Sequence, residues 1–479
     1  MSRILSIDAV PMFRRILAAL FALAIVLGAF WLAGDVVIQP NVYVAVLVGI
    51  VPVAICVWVI TRSRTSDQRF LLRLFTAALL FRYVLGYVIY SRHLQTFLGA
   101  DAGTYDAFGY ELLKSWQGLV DPNAFWLSRY TSLRTSGFGM YYFVAGLYYV
   151  IGQNPLATQL INCALGAGAA IAGYKMTMMV YPSQRAARMV ALLTAFSPSL
   201  VLWTSQGLKD GPIVLCLCLC ALFTLRLRVK FEIKSFLLLL LFFSCLYTLR
   251  HYAAYIMLVA ITGTLLLTVN EKFTATRILR GAVLVIILGV AISYFGAGEL
   301  AKHSLDLEQV QRARVWGAQA ANTGFGGDVD ITDPDAALRF LPLGILYVLL
   351  APFPWMINNL RQLITLPELI IWWCLMPIMF KGYWFALKQR LRQSFLLCTF
   401  VLGLVLAFAL YESNAGTAYR HRAQIYVFFF VFISIGLELR RAARIEKRAR
   451  LYQPVPFAPL PSIPGPARQA EAQVNLPTR

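Results

Sequence analysis

Leu98-Gly-Ala-Asp101-Ala-Gly-Thr-Tyr105-Asp106-Ala-Phe108-Gly-Tyr-Glu-Leu112-Leu113-Lys-Ser-Trp116 opens the first sizeable polar loop of the chain, directly after a long apolar stretch. Tyr105, Phe108, Leu112, Leu113 and Trp116 recur at helical spacing, which predicts an amphipathic helix with these five on one side. Beside a membrane span, such a helix is expected to lie in the interface with its aromatic face in lipid. Asp101 then stands at its start, in water but close to the headgroups. Two roles are open to it from the local pattern. It caps the orphan amides of the first turn, or it performs chemistry at the membrane surface.

Working outward, the composition sets the class. Of 479 residues, 59% are hydrophobic and 14% charged, too apolar for a soluble protein of this size. Apolar runs long enough to cross a bilayer recur from end to end. They lack the period-two alternation of a barrel, so the fold class is all-α, a polytopic transmembrane bundle. Basic residues precede the first apolar stretch as in a signal peptide, but Phe13–Leu32 is long enough to be a retained span. The net charge of +21 would suggest nucleic acid on a soluble chain. Here most Lys and Arg sit in short links between spans, the pattern of cytoplasmic loops facing membrane lipid. Nucleic acid is therefore not an expected partner. The eight cysteines all lie in apolar runs, and Cys216, Cys218 and Cys220 do not share one helix face, so neither disulfides nor a metal site is expected.

Hydropathy gives about twelve spans. They are Phe13–Ala33, Val42–Ile60, Phe70–Tyr90, Thr158–Val180, Met189–Thr204, Gly211–Leu227, Phe236–Leu249, Tyr252–Val269, Gly281–Gly296, Leu366–Phe380, Phe395–Tyr411 and Ala423–Leu437. Met140–Ile151 and Phe340–Ile357 are read as interfacial or re-entrant helices. If Met140–Ile151 crossed, Gln184–Arg188, Arg226–Lys234 and Lys272–Arg280 would all face outward against the positive-inside rule. This places residues 1–69 as additional N-terminal helices and 70–450 as the main transmembrane domain. Outer loops fall at 93–139, 297–339 and 412–422, and Lys381–Arg392 forms a basic inner loop. The Pro-rich stretch 451–479 is expected to be a disordered cytoplasmic tail. Both termini are expected in the cytoplasm of a bacterial-type inner membrane.

On this topology Asp101, Asp106, Lys209, Asp210, Arg250, His251, Arg420, His421 and Arg422 converge at the outer face. Tyr105, Tyr419, Arg312 and Arg314 complete the candidate set. An ionisable group at mid-membrane costs about 2.5–3.5 kcal/mol on insertion scales, so those near spans are functional candidates. Each has a plainer reading. Arg250 snorkels to headgroups, Lys209 and Asp210 form a surface ion pair, and Arg420–Arg422 is an ordinary loop cluster. Positive charge on the outer side runs against the usual bias, however, and favours an anion site there, with phosphate the obvious anion for Arg. Asp328, Asp330, Asp333 and Asp335 are either a solvated loop or oxygen ligands for a divalent cation. No other cofactor is implied. There is no P-loop and no Rossmann glycine pattern.

Asp101-Ala-Gly-Thr-Tyr105 resembles the Asp-Glu-x-x-Tyr start of the first outer loop in GT-C class membrane glycosyltransferases, the protein O-mannosyltransferase and lipid A aminoarabinose transferase group. The similarity runs over Leu98–Leu225. It continues through Gly152-Gln-Asn-Pro-Leu, Leu160-Ile-Asn162-Cys-Ala-Leu-Gly166, Ala195-Phe-Ser197-Pro198, Ser205 and Leu208-Lys-Asp210-Gly-Pro. The resemblance implies a GT-C-like fold, a catalytic base at Asp101 and a second functional carboxylate at Asp210. Ala102 departs from the pattern, standing where the family usually has an acid, and Asp106 is the neighbouring carboxylate. The implied activity is inverting transfer of a sugar from a polyprenyl-phosphate-linked donor to a glycan, lipid or protein acceptor, in cell-envelope polysaccharide or glycolipid assembly. Two alternatives stay open. Arg312-x-Arg314-x-Trp316 followed by Gly324-x-Gly326-Gly327 faintly echoes O-antigen or exopolysaccharide polymerases and ligases. A lipid-linked sugar flippase is the other. Asp101 meeting Asp210 favours the transferase; Arg312 meeting Arg420 favours the polymerase.

Overall fold

Helix starts are set by local chemistry. Asn154 accepts the Ala157 amide at 3.1 Å and Pro155 occupies the first turn, which launches a helix over Pro155–Val180. Asp333 with Pro334 does the same for Pro334–Leu350. Asn414 accepts the Gly416 amide at 2.9 Å and starts the last helix at Ala415. The computed structural model describes residues 41–63, 65–99, 101–132, 135, 137–266, 306–319, 323–357 and 360–451.

In chain order the helices are α1 Asn41–Arg62, α2 Gln68–Ser91, α3 Gln95–Leu98, α4 Asp101–Trp116, α5 Phe125–Thr131, α6 Phe138–Ile151, α7 Pro155–Val180, α8 Gln184–Phe196, α9 Pro198–Thr204, α10 Asp210–Val229, α11 Ile233–Leu249, α12 His251–Leu266, α13 Leu307–Gln319, α14 Pro334–Leu350, α15 Leu360–Leu363, α16 Leu366–Gln389, α17 Leu391–Tyr411 and α18 Ala415–Leu451. Among the described residues there is no strand, only an isolated bridge between Gly324 and Asn414. Seven helices (α1, α2, α7, α10, α16, α17 and α18) are long and apolar enough to cross a membrane, and the bent pair α8–α9 makes eight. The chain is a multi-pass helical membrane protein. The expected spans Phe13–Ala33 and Gly281–Gly296, and the tail beyond Leu451, lie outside the described residues.

α7 runs through the centre, buried along nearly its whole length. Alanines and glycines let its neighbours approach. α16 and α18 come closer still: a Cβ on Gly382 would sit 1.9 Å from the Phe432 carbonyl oxygen, and one on Gly436 would sit 2.1 Å from that of Ile378. Small residues at such crossings allow backbone-to-backbone packing in lipid. Two compact units divide the chain at Leu437. The second holds the exposed basic end of α18, where Arg450 pairs with Glu446.

Several expectations are corrected. Met189–Thr204 is not one straight span. α8 and α9 meet at 54°, because Pro198 lacks an amide hydrogen and drives Ser197 out of the helical region. Lys381–Arg392 is not a loop, since α16 continues to Gln389 and α17 starts at Leu391. The 412–422 link shrinks to Glu412–Asn414, and Tyr419 to Arg422 lie on the first turns of α18. The aromatic side of α4 is largely covered by protein, with Phe108 half-buried and Trp116 exposed. Tyr105, Leu112 and Leu113 are buried against protein, with Tyr105 meeting Tyr141 of α6 at 5.1 Å between ring centroids.

α6 begins and ends at one end of the bundle. Its N-cap Gly137 abuts Lys209, and Gln153 just past its end bonds Asp106 of α4. Fourteen residues span about 21 Å, short of a hydrocarbon core of about 30 Å. α6 shares this shortness with α11 and α12, which are likewise apolar and under 18 residues. In α14, Phe340 lies under Arg314 in the first half of the helix, and the Leu349 carbonyl accepts from Arg422 near its end.

The break at Ser197 is held by buried charge. Glu368 of α16 accepts from Ser197 Oγ (2.8 Å), Ser199 N (3.0 Å), Ser199 Oγ (2.7 Å) and Tyr419 Oη (2.5 Å). Arg82 of α2 donates to Thr204 Oγ1 at 2.9 Å and to the Ala195 carbonyl at 2.7 Å. Glu368→Ala strands four donors in a buried place and is expected to destabilise by at least about 1–3 kcal/mol, the cost of one unsatisfied group. Thermal unfolding in detergent checks this, and an unchanged midpoint would refute it.

Candidate functional site

The segment Ser205–Lys209 joins α9 to α10 and is packed under protein, with Ser205 and Gln206 fully buried. Buried carbonyls need partners, and α7 supplies them. Gln159 Nε2 donates to Ser205 O at 2.7 Å, and Asn162 Nδ2 donates to Gln206 O at 2.8 Å and Leu208 O at 2.5 Å. This cradle fixes the residue that follows, Asp210, at the head of α10.

Asp210 and Asp101 meet across Arg420. The Arg420 guanidinium donates from Nη1 to Asp101 Oδ2 at 2.6 Å, and from Nη2 and Nε to Asp210 Oδ2 at 2.7 and 3.1 Å. The other Asp210 oxygen accepts from Gln424 Nε2 at 2.6 Å, and Gln424 Oε1 accepts from Arg250 Nη1 at 2.8 Å. The result is one polar chain, Asp101–Arg420–Asp210–Gln424–Arg250, drawn from α4, α10, α18 and the turn between α11 and α12. Its burial is graded. The Asp210 side chain is 3% exposed and that of Asp101 54%, so Asp101 is the carboxylate open to solution. Arg420 also lies over the Trp203 ring at 5.3 Å.

Lys209 completes the cluster. Gly137, at φ +88°, leaves room that a Cβ would fill 2.6 Å from the Lys209 Nζ. The ammonium sits 5.9 Å from the Tyr105 ring centroid and donates no hydrogen bond among the described residues. Burial, and then the nearby Arg250 charge, bring its pKa down to about 7. Burial and the Asp101 charge push the Tyr105 hydroxyl well above its ordinary value, so it stays a neutral donor. The Arg250 Nε is buried without a hydrogen-bond partner among the described residues. The N–H groups of Arg420 are largely spent on two carboxylates. Within this cluster, Lys209 and Arg250 are the cations with donors to spare.

Other candidates fall elsewhere. Arg422 is engaged with α14 rather than with Asp101 and Asp210, although its Nη2 is buried without a hydrogen-bond partner among the described residues. It is fully buried and donates to Leu349 O at 2.7 Å and Val348 O at 3.2 Å, closing the end of α14. Helix residues two positions apart point about 200° apart, so Arg420 and Arg422 cannot both face one ligand. His421 pairs with Glu412 and stacks on Phe408. Tyr419 is tied to Glu368. His251 follows Arg250 at the head of α12, its ring against Tyr252 and Tyr255. Asp106 does not join Asp101; it accepts from Tyr148 Oη at 2.6 Å and from Gln153. Arg314 is consumed by the Gly326 carbonyl (2.7 Å) and the Phe340 ring (4.1 Å), and exposed Arg312 pairs with Glu308. Of the two readings of the acidic run, the contacts favour the solvated loop. Asp330 folds onto Thr332 and Asp333 caps α14, and no cluster of three or more metal-binding side chains exists among the described residues.

Gln424, Trp203, Gln159, Glu368 and Arg82 were missed from sequence. For Gln424 a signal existed, because it stands four residues after Arg420 and so shares its helix face. The helix start at Ala415 was what the hydropathy reading lacked.

Asp210→Ala removes the partner of a buried guanidinium and should cost about 3–5 kcal/mol. Asp101→Ala, on the exposed arm, should cost no more than about 1 kcal/mol. Equal losses in chemical unfolding would contradict this gradient.

No curated protein matches this chain. Residues 136–295, about a third of the chain, match the family model of dolichyl-phosphate-mannose-protein mannosyltransferases. Lys209, Asp210, Arg250 and His251 lie within the matched stretch, and Asp101 and Arg420 outside it. This match supports a membrane glycosyltransferase of the GT-C class.

Proposed function

We propose that the protein transfers a sugar from a polyprenyl-phosphate-linked donor to an acceptor hydroxyl at the extracytoplasmic face, with Asp101 as general base. The observation that carries this reading is the meeting of Asp101 and Asp210 across Arg420. Arg420 orients Asp101 from one side and leaves it half in water. The acceptor hydroxyl gives its proton to the Asp101 carboxylate while its oxygen bonds to the anomeric carbon. The bond from that carbon to the phosphate oxygen breaks, and the electron pair leaves on the phosphate. Attack opposite the leaving group inverts the anomeric centre. Lys209 and Arg250 hold the phosphate and stabilise its growing charge, in place of the Arg420–Arg422 cluster expected from sequence. A lipid-linked donor accords with a chain that has no nucleotide-binding motif. A glycan, lipid or protein acceptor, a bacterial-type inner membrane, cytoplasmic termini and a role in envelope assembly belong to the same proposal. The polymerase alternative is less favoured because Arg314 is consumed within its own loop and Arg312 pairs with Glu308.

Asp101→Asn should keep the fold and abolish transfer; near-normal turnover of a polyprenyl-phosphate sugar by this variant would remove Asp101 from the mechanism. Lys209 gives a pH test. Its pKa is about 7 in the free protein, and a bound phosphodiester raises it, so binding takes up a proton at and above that pH. Affinity for a short-chain glycosyl phosphodiester, whose own charge is constant, should fall as pH rises from about 7. Lys209→Met should flatten this dependence and cost about 1.5–3 kcal/mol at neutral pH, or roughly ten- to a hundred-fold in affinity. A pH profile unchanged by Lys209→Met would exclude it from the phosphate site.

A further inference from the structure

The two carboxylates are bridged by the protein's own charge. One Asp101 oxygen and one Asp210 oxygen each accept from Arg420 within 2.7 Å, and Gln424 takes the remaining Asp210 oxygen at 2.6 Å. A divalent cation between these groups needs the same oxygen lone pairs, and it meets a guanidinium in the same space. Further oxygen ligands are not at hand. Ala102 has none to offer, and the Asp106 carboxylate is held by Tyr148 and Gln153. With Arg420 on both carboxylates the donor set therefore does not fit a divalent metal; with the guanidinium gone, the two carboxylates and water supply oxygen ligands for one. Without Arg420 the balance reverses, because two carboxylates face one another in a partly buried site where opposite charge is strongly favoured.

We propose that Arg420 is the resident cation of the Asp101–Asp210 pair, holding the two carboxylates in place of a divalent metal, and that removing its guanidinium unmasks a divalent-cation site between them. Only the activity arm of the test depends on the glycosyl-transfer reading.

The test uses the full-length, metal-stripped protein in detergent, with Mn2+ followed by electron paramagnetic resonance and by thermal unfolding. The wild type is expected to show no saturable Mn2+ site involving Asp101, and the same unfolding midpoint in Mn2+ and in chelator. Arg420→Ala is expected to bind one Mn2+ at least about ten-fold more tightly than the wild type, and to unfold at higher temperature when Mn2+ is present. Adding Asp101→Asn or Asp210→Asn to Arg420→Ala should remove that site. Arg420→Lys keeps a cation and should ignore Mn2+. If Arg420→Ala does not fold, Arg420→Gln carries the same measurement. A wild-type Mn2+ site lost in Asp101→Asn overturns the proposal, as does a folded Arg420→Ala or Arg420→Gln protein that ignores Mn2+. Transfer abolished by chelator and restored by Mn2+ overturns it too, while leaving the glycosyltransferase reading intact. A wild type inactive on every lipid-linked donor, with or without metal, overturns that reading instead, and the Mn2+-binding measurements still decide this one.

Discussion

One guanidinium holds the site together. Arg420 reaches Asp210 and Asp101 from 210 and 319 residues away in sequence. Each carboxylate alone would be costly so near a membrane interior. Paired with Arg420 and Gln424, Asp210 is satisfied at both oxygens. Asp101 shares the same cation yet keeps about half its surface in water. This asymmetry gives two acidic residues different surroundings and underlies the different roles proposed for them. The buried one is a fixture, and the exposed one can meet a substrate.

The parts that carry these residues are fixed by polar contacts rather than by apolar packing alone. Between helices in lipid, hydrocarbon contact gives little preference over lipid tails, and buried polar groups find one another instead. Gln159 and Asn162 hold the segment before Asp210 by its carbonyls. Glu368 ties the broken end of α8 to Tyr419, the residue before Arg420. The two arms of the site are thereby referenced to the same scaffold. Arg82, with its donors on Thr204 and the Ala195 carbonyl, locks the bend from the other side.

The loop following α13 serves the same end. Phe325 N donates to Ser413 O at 2.7 Å, Ala415 N to Thr323 O at 3.1 Å, and Ser413 Oγ to Arg314 O at 2.7 Å. These bonds clamp the link just before α18, about one turn ahead of Arg420. The Arg-x-Arg and glycine pattern that resembled a polymerase loop is, in this fold, the clasp that sets the start of α18. Gly326, at φ +61°, lets its carbonyl turn to Arg314.

Sequence alone determined the class of the protein and most of its helices. Apolar runs long enough to cross a bilayer have few structural solutions, whereas the caps Asn154 and Asp333, which start α7 and α14 ahead of the expected Thr158 and Phe340, came from the structure. The order of short motifs from Asp101 to Asp210 carried the resemblance, and charge bias together with the shortness of Met140–Ile151 set it apart from the expected spans. What only the tertiary structure decided is which charges meet. Arg420 and Arg422 are the same residue type two positions apart, yet one bridges the site and the other closes α14. That difference follows from the helix start at Ala415 and the 100° turn per residue. Partners separated by hundreds of residues leave no periodicity to read. For the same reason Gln424 and Glu368 stayed invisible, and Lys209, plain in the sequence, acquired its lowered pKa from the burial and the neighbouring Arg250 that the fold supplies.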